Sequence, residues 1–137
     1  MATFSTLDFG IEAGVARITL NRPDSANGIS MQLAQELLQA SLACRCSPQV
    51  RAVLLTGKGR MFCAGGDLNS FVENAANLEG FIKELTTYLH AAIANFAHMR
   101  APLVIAVNGA AAGAGFSLAA CGDLVLAARS AKFSMAY

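Results

Sequence analysis

The sequence predicts a layered α/β domain, and three observations carry that prediction. Short apolar runs of buried-strand type recur at 50–56, 103–107 and 124–128, and helix-period apolar stripes lie between them at 31–44 and 78–99. Gly, Pro or Asn punctuates most of the transitions, so strands and helices alternate as they do in sheets covered by helices.

The elements run in order along the chain. Residues 3–9 and 14–20 alternate apolar with polar on either side of Glu12-Ala13-Gly14, which predicts two neighbouring strands joined by a tight turn. The stretch 21–28 (NRPDSANG) is a loop by its turn chemistry, and Ser30 stands where it can cap the next helix. Met31, Leu33, Ala34, Leu37, Leu38 and Leu42 keep one helical stripe to about residue 44, and Pro48 separates it from the next element. Residues 50–56 (VRAVLLT) form a buried strand that ends in Gly57-Lys58-Gly59. Leu78, Phe81, Ile82, Leu85, Leu89, Ile93 and Phe96 mark one face of a helix over 78–99. Pro102 opens a strand at 103–107, an Ala/Gly-rich helix runs over 113–121, a strand starts at Asp123, and a short strand occupies 132–134. There is no internal sequence repeat, linker or low-complexity tract.

Composition narrows the class of partner. The 137 residues suit one domain spanning 1–137, with 55% hydrophobic and only 14% charged residues against a norm of about 25% charged. More apolar surface exists than one small domain hides, so the chain is expected to meet other copies or further protein. A net charge of +1 with no Lys/Arg block offers no footprint for nucleic acid or an acidic membrane. The uncharged stretch 101–122 has bilayer-spanning length, but Pro102, Asn108, Ser117 and four glycines read as strand, turn and small helix. Cys44, Cys46, Cys63 and Cys121 lack C-x-x-C spacing, and His90 and His98 stand eight apart without companion ligands, so no metal site is expected. With no secretory leader at 1–10, the expected setting is the cytoplasm and the thiols are reduced.

Two segments carry candidate chemistry. Residues 61–68 (MFCAGGDL) and 107–118 (VNGAAAGAGFSL) each put Gly and Ala where a strand ends, and a carbonyl ligand can approach backbone only where side chains are absent. Two converging N–H donors make an oxyanion hole. Either segment alone is also compatible with a tight turn and close helix packing.

Together with an N-R-P-x-x-x-N loop at 21–27, VRAVLLTG at 50–57, R-x-F-C-A-G-G-D-L at 60–68, P-x-V-I-A-V-N-G-A-A-A-G-A-G at 102–115, LAACGDL at 118–124 and AKF at 131–133, they resemble the crotonase, or enoyl-CoA hydratase/isomerase, superfamily. The likeness runs over nearly the whole chain and implies the N-terminal portion of a single ββα spiral domain, because a full family domain continues for about as many residues again. It also implies a fatty-acid-type acyl-CoA thioester as partner, no cofactor beyond the coenzyme A of the substrate, and a homotrimer or hexamer.

By the same resemblance, the backbone N–H groups of Gly66 and Ala114 form the oxyanion hole. Arg22, Ser25, Ala26, Asn27, Ala64, Gly65, Asp67, Leu68 and Gly113 line the coenzyme A path, with Asp67 also capping the turn that holds Gly66. Lys58 and Arg60 are further candidates for coenzyme A phosphates. Ser117 and Tyr137 occupy the positions of the family's two glutamates, and a serine without a neighbouring base is a poor proton acceptor. Isomerase-like enolate chemistry is therefore favoured over hydration, and residues 1–137 alone are expected to be inactive. Glu73, Glu79 and Glu84 are alternative proton acceptors or simply a solvated helix face. Two other readings are a non-catalytic acyl-CoA-binding member and an NAD(P)-dependent dehydrogenase, the latter from Gly109, Gly113 and Gly115 after a strand.

Overall fold

A computed structural model describes residues 3–136. The chain opens with a hairpin, β1 (Leu7–Glu12) pairing antiparallel with β2 (Val15–Leu20). Its turn residues Ala13 (φ 51°) and Gly14 (φ 83°) are both left-handed, the backbone twist that a tight hairpin needs. The first strand begins at Leu7, not at residue 3, because Ser5 and Thr6 spend their donors on a carboxylate. Glu36, 6% exposed, accepts from the main-chain N–H of Ser5 (3.0 Å) and Thr6 (2.8 Å) and from the Thr6 hydroxyl (2.5 Å).

Burial works to raise the Glu36 pKa, but the Thr6 hydroxyl and the Ser5 and Thr6 amides outweigh it and hold the group below its ordinary value. A carboxylate with a depressed folded pKa contributes stability above its unfolded pKa, and that contribution is lost as pH falls through the folded pKa. Glu36→Gln is therefore expected to lower stability by about 2 kcal/mol at pH 7, and the gap to wild type should close toward pH 3. Urea midpoints of both proteins across that range would check this, and a gap independent of pH would contradict it.

Helix α1 (Met31–Cys46) starts where Ser30 Oγ accepts from Leu33 N–H at 3.2 Å. It packs against α3 (Leu78–His98), burying Leu33, Leu37 and Cys44 against Leu85, Leu89 and Phe96. The predicted α3 stripe holds from Leu85 onward, while Leu78 at its start is 36% exposed. A buried polar link joins the two helices: Asn95 accepts from Arg45 Nη1 at 2.8 Å and donates to Ser41 Oγ at 3.2 Å.

Strands β3 (Ala52–Gly57), β5 (Leu103–Val107) and β7 (Leu124–Ala127) extend the hairpin into a five-stranded sheet of order β1-β2-β3-β5-β7, parallel from β2 onward. A second, three-stranded parallel sheet is built from β4 (Met61–Cys63), β6 (Ala110–Ala112) and β8 (Phe133–Ser134). Strands β3, β5 and β7 are each followed by a short one, and β4 and β6 then by a helix, which is the ββα repetition implied by the resemblance. Periodicity alone does not reveal it, since it shows neither β4 nor β6, nor the short helix α2 (Leu68–Glu73).

The core lies between the large sheet and the helices, with Ile18, Leu20, Val53, Leu55, Leu103 and Ile105 fully buried. The apolar excess expected from composition surfaces most strongly in two places, beyond scattered residues such as Ile11, Leu42 and Met135. Leu68 (72% exposed) and Val72 (76%) lie on α2, and Leu124 (62%) and Leu126 (62%) on β7, which is exposed along its whole length. Among the described residues no helix is long and apolar enough to cross a membrane.

Candidate active site

Parallel strands present ligand sites beyond their carboxyl ends, and the two glycine-containing segments leave the carboxyl ends of adjacent strands β4 and β6. After Cys63 the chain turns through Ala64, Gly65 and Gly66, and after Ala112 it passes Gly113 into α4 (Ala114–Ala120). Gly65 has φ 101°, and a Cβ there would stand 2.9 Å from Ala112 O and 3.5 Å from Ala114 N. A Cβ on Gly115 would overlap the Cys63 carbonyl oxygen. The two segments are therefore in direct contact, and the absence of side chains is what permits it.

Most amides around this junction are spoken for. Ile29 N–H donates to Gly65 O (2.7 Å), Asp67 N–H to Ile29 O (3.1 Å), Ala64 N–H to Ala26 O (3.0 Å) and Gly113 N–H to Ser134 O (3.0 Å). Among the described residues, the N–H groups of Gly66 and Ala114 have no protein acceptor. For Ala114 this follows from its place in the first turn of a helix, as it does for Gly115. At Gly66 it follows from the loop, whose neighbours on both sides bridge to Ile29.

Arg22 and Asp67 hold the flanking loops. Their ion pair is 2.9 Å long, with side chains 20% and 10% exposed, and Arg22 Nη1 also donates to Gly28 O. Asp67 caps α2 by accepting from Asn69 N–H (3.1 Å) and takes a further bond from Ser70 Oγ (3.0 Å). Burial works to raise the Asp67 pKa, but hydrogen bonds from Arg22 and Ser70, the Arg22 charge and the Asn69 amide together hold it below the ordinary carboxylate value. The Arg22 guanidinium is thereby engaged inside the loops.

Asn27 is fully buried, accepting from Arg22 N–H (2.9 Å) and donating to Lys58 O (3.0 Å) and Met61 O (2.9 Å). Asn27 therefore holds the loop from inside and offers no surface to a ligand. Ala26 (φ 52°) and Asn27 (φ 53°) are both left-handed, a conformation that costs about 1 kcal/mol or more for alanine. The bond from the Ala64 amide to Ala26 O is one of the contacts that offset this cost.

Ser25, Ala64, Gly66, Asp67 and Leu68 line a cavity of about 230 Å³ together with Asp24, Gly28 and Asn69. Arg22, Ala26, Asn27 and Gly65 do not line it, and neither do Gly113 and Ala114, which reach the junction from the β6 side. Sequence reasoning missed Phe71. Its ring packs over Gly66, where a Cβ would meet Phe71 Cζ at 2.5 Å, and it lies edge-on to Phe81 with centroids 6.2 Å apart. The available signal was an aromatic residue one helical turn after the Asp67 cap.

Ser117 is exposed on α4, and Tyr137 lies outside the described residues. Glu73, Glu79 and Glu84 are exposed on α2 and α3, with Glu79 paired to Lys83 at 2.5 Å. Burial pushes the Cys63 thiol up to about 11, against a main-chain hydrogen bond from Gly65 and the Arg22 charge, so it is protonated at neutral pH and is no nucleophile. The dinucleotide-fingerprint reading loses its geometry, because residues 110–112 form strand β6 and Gly109 therefore precedes a strand instead of opening a helix.

A ββα spiral with two glycine-containing turns in contact at its strand ends defines the crotonase fold class. The chain belongs to the enoyl-CoA hydratase/isomerase family, whose family model matches residues 10–137. It is 39% identical over 93% of its length to the 1,2-epoxyphenylacetyl-CoA isomerase of Escherichia coli, covering 49% of that protein. A solved structure from Pseudomonas aeruginosa superposes with TM-score 0.88 at 41% identity, covering 97% of this chain and 57% of that one. An enoyl-CoA hydratase from Polaromonas also reaches TM-score 0.88, at 34% identity, with 96% of this chain and 51% of that one covered. The chain spans about half the length of the curated relatives it matches.

Proposed function

We propose that the protein acts on acyl-CoA thioesters and that the main-chain N–H groups of Gly66 and Ala114 receive the thioester oxygen as it takes on enolate charge. One observation carries this reading: two amides without protein acceptors belong to segments in direct contact, where Gly65 and Gly115 let main chain approach main chain. Removing a proton from the carbon next to a thioester moves charge onto the carbonyl oxygen. Donors already in place stabilise that charge without reorganising, and each contributes about 3–4 kcal/mol to lowering the barrier.

The remaining residues support this step. The Arg22–Asp67 pair and the Asn27 side chain hold the 22–27 and 64–69 loops in register for coenzyme A, whose contacts there fall on Ser25, Ala64 and Leu68. Phe71 roofs Gly66 with apolar surface that keeps water from the developing charge.

Isomerase-like proton transfer is favoured over hydration, since Ser117 stands at one of the two positions where hydratases of the family carry glutamates. The relation to an epoxyphenylacetyl-CoA isomerase supports the same preference. The proton carrier is a carboxylate outside residues 3–136. A trimer or hexamer fits the exposed apolar surface of α2 and β7, a cytoplasmic setting is expected, and residues 1–137 alone are expected to be inactive. Incubating the intact protein with 2-enoyl-CoA and 3-enoyl-CoA substrates and separating the products by chromatography tests the proposal. Double-bond migration is the expected outcome. Hydration without migration would overturn the isomerase preference, and no conversion of any thioester would favour a binding role.

A further inference from the structure

Arg45, Arg51 and Arg100 line one cavity of about 460 Å³, whose walls are completed by Cys44, Ser47 and Ala101 among others and include no carboxylate. It opens beside the amino-terminal starts of β3 and β5, because Val50 and Arg51 immediately precede β3 and Ala101 stands just before β5. The candidate active site lies at the carboxyl ends of β4 and β6, in the other sheet, and none of its residues lines this cavity.

The charge balance in this cavity is one-sided. The ion pairs among the described residues are Arg22–Asp67 and Lys83–Glu79, so none of the three lining arginines is neutralised by a carboxylate. Two of them are held by neutral acceptors instead. Arg45 Nη1 donates to Asn95 Oδ1 at 2.8 Å, and Asn95 is itself fixed to Ser41, while Arg51 Nη2 donates to Ala13 O at 3.3 Å. Such partners fix a guanidinium in place but leave its charge and its other N–H groups uncommitted, which removes part of the ordering cost of binding. The carbonyl end of α1 also meets this cavity and contributes about half a negative charge. Against three positive charges it does not change the sign.

We infer that this cavity is a second binding site, distinct from the thioester site, for a compact phosphate-bearing polyanion. Its volume admits a diphosphate or a nucleoside diphosphate, and guanidinium forks match phosphate oxygens in pairs. The inference does not depend on the oxyanion reading, since none of its residues belongs to that site.

Calorimetric titration of the intact protein with inorganic pyrophosphate, at ionic strength matched with sodium chloride, tests it. Saturable binding at one site per chain is expected. It should weaken at least tenfold in Arg51→Gln and in Arg100→Gln, each checked for native circular dichroism, and it should persist at saturating acyl-CoA. A parallel titration with adenosine diphosphate separates the sources: tighter binding than pyrophosphate identifies a nucleotide, and equal or weaker binding a free diphosphate. Absence of saturable binding, competition by acyl-CoA, or unchanged affinity in both folded variants would overturn the inference.

Discussion

Replacing Ala114 by proline is expected to lower kcat of the intact enzyme by about 10²–10³-fold while leaving the fold in place, because it deletes one of the two proposed oxyanion donors and little else. Ala114 is the first residue of α4, the helical position where proline is best tolerated, and its N–H has no protein acceptor to lose. The preceding Gly113, at φ 53° and ψ −125°, is in a conformation reserved for glycine and outside the helical region that a following proline disfavours. Steady-state kinetics beside a thermal melt would separate the effects. A variant that melts like wild type and keeps its kcat would remove Ala114 from the mechanism.

Gly115→Ala should have the other large effect, and it acts on structure first. The added methyl would fall on the Cys63 carbonyl oxygen, and since a Cβ is fixed by its backbone and the oxygen is main chain, neither side can rotate away. Overpacking of that kind costs typically 1–3 kcal/mol and more where backbone must move, and here about 3 kcal/mol is expected together with a fall in kcat/KM of at least tenfold. The fall follows because β4 and α4 would separate, carrying the Gly66 and Ala114 amides apart. Gly10→Ala is the matched control, since nothing lies within 4 Å of a Cβ there. Urea midpoints of the two variants would check the contrast, and equal stabilities would show that β4 and α4 can part at little cost.

Periodicity finds the elements that are long enough to have a period. The Leu85–Phe96 stripe locates α3 to within a residue at either end, and the apolar runs of β3 and β5 read as buried strands. Met61–Cys63 and Ala110–Ala112 do not, because three residues cannot display an alternation and alanine has no facial preference. The second sheet, and with it the ββα repetition, is therefore legible only through family resemblance. The start of β1 is misplaced by the pattern for a different reason: Ser5 and Thr6 fit a strand, but a carboxylate thirty residues away takes their donors.

The site shows the same division. Glycines at 65, 66 and 115 point to close backbone approach, and the contact between the two segments follows from them. The side chain of Asn27 cannot be placed from sequence, since its three hydrogen-bond partners are main-chain groups that any sequence would supply. Phe71 looks like one more apolar residue on a helix, and its position over Gly66 depends on where the Asp67 cap starts α2.

Strand β7 bears on how the polypeptide of residues 1–137 behaves in solution. Its four residues have exposed apolar side chains, and among the described residues only β5 pairs with it, along one of its two hydrogen-bonding edges. The other edge is a template onto which an identical strand can add, the first step of ordered aggregation. Two charges bracket the stretch: Asp123, whose carboxylate is latched to Leu103 N–H at 2.7 Å, and Arg129 two residues past the end. They act as gatekeepers that confine the adhesive length to a few residues, and dilute solution at low temperature will favour the dispersed chain over its clusters.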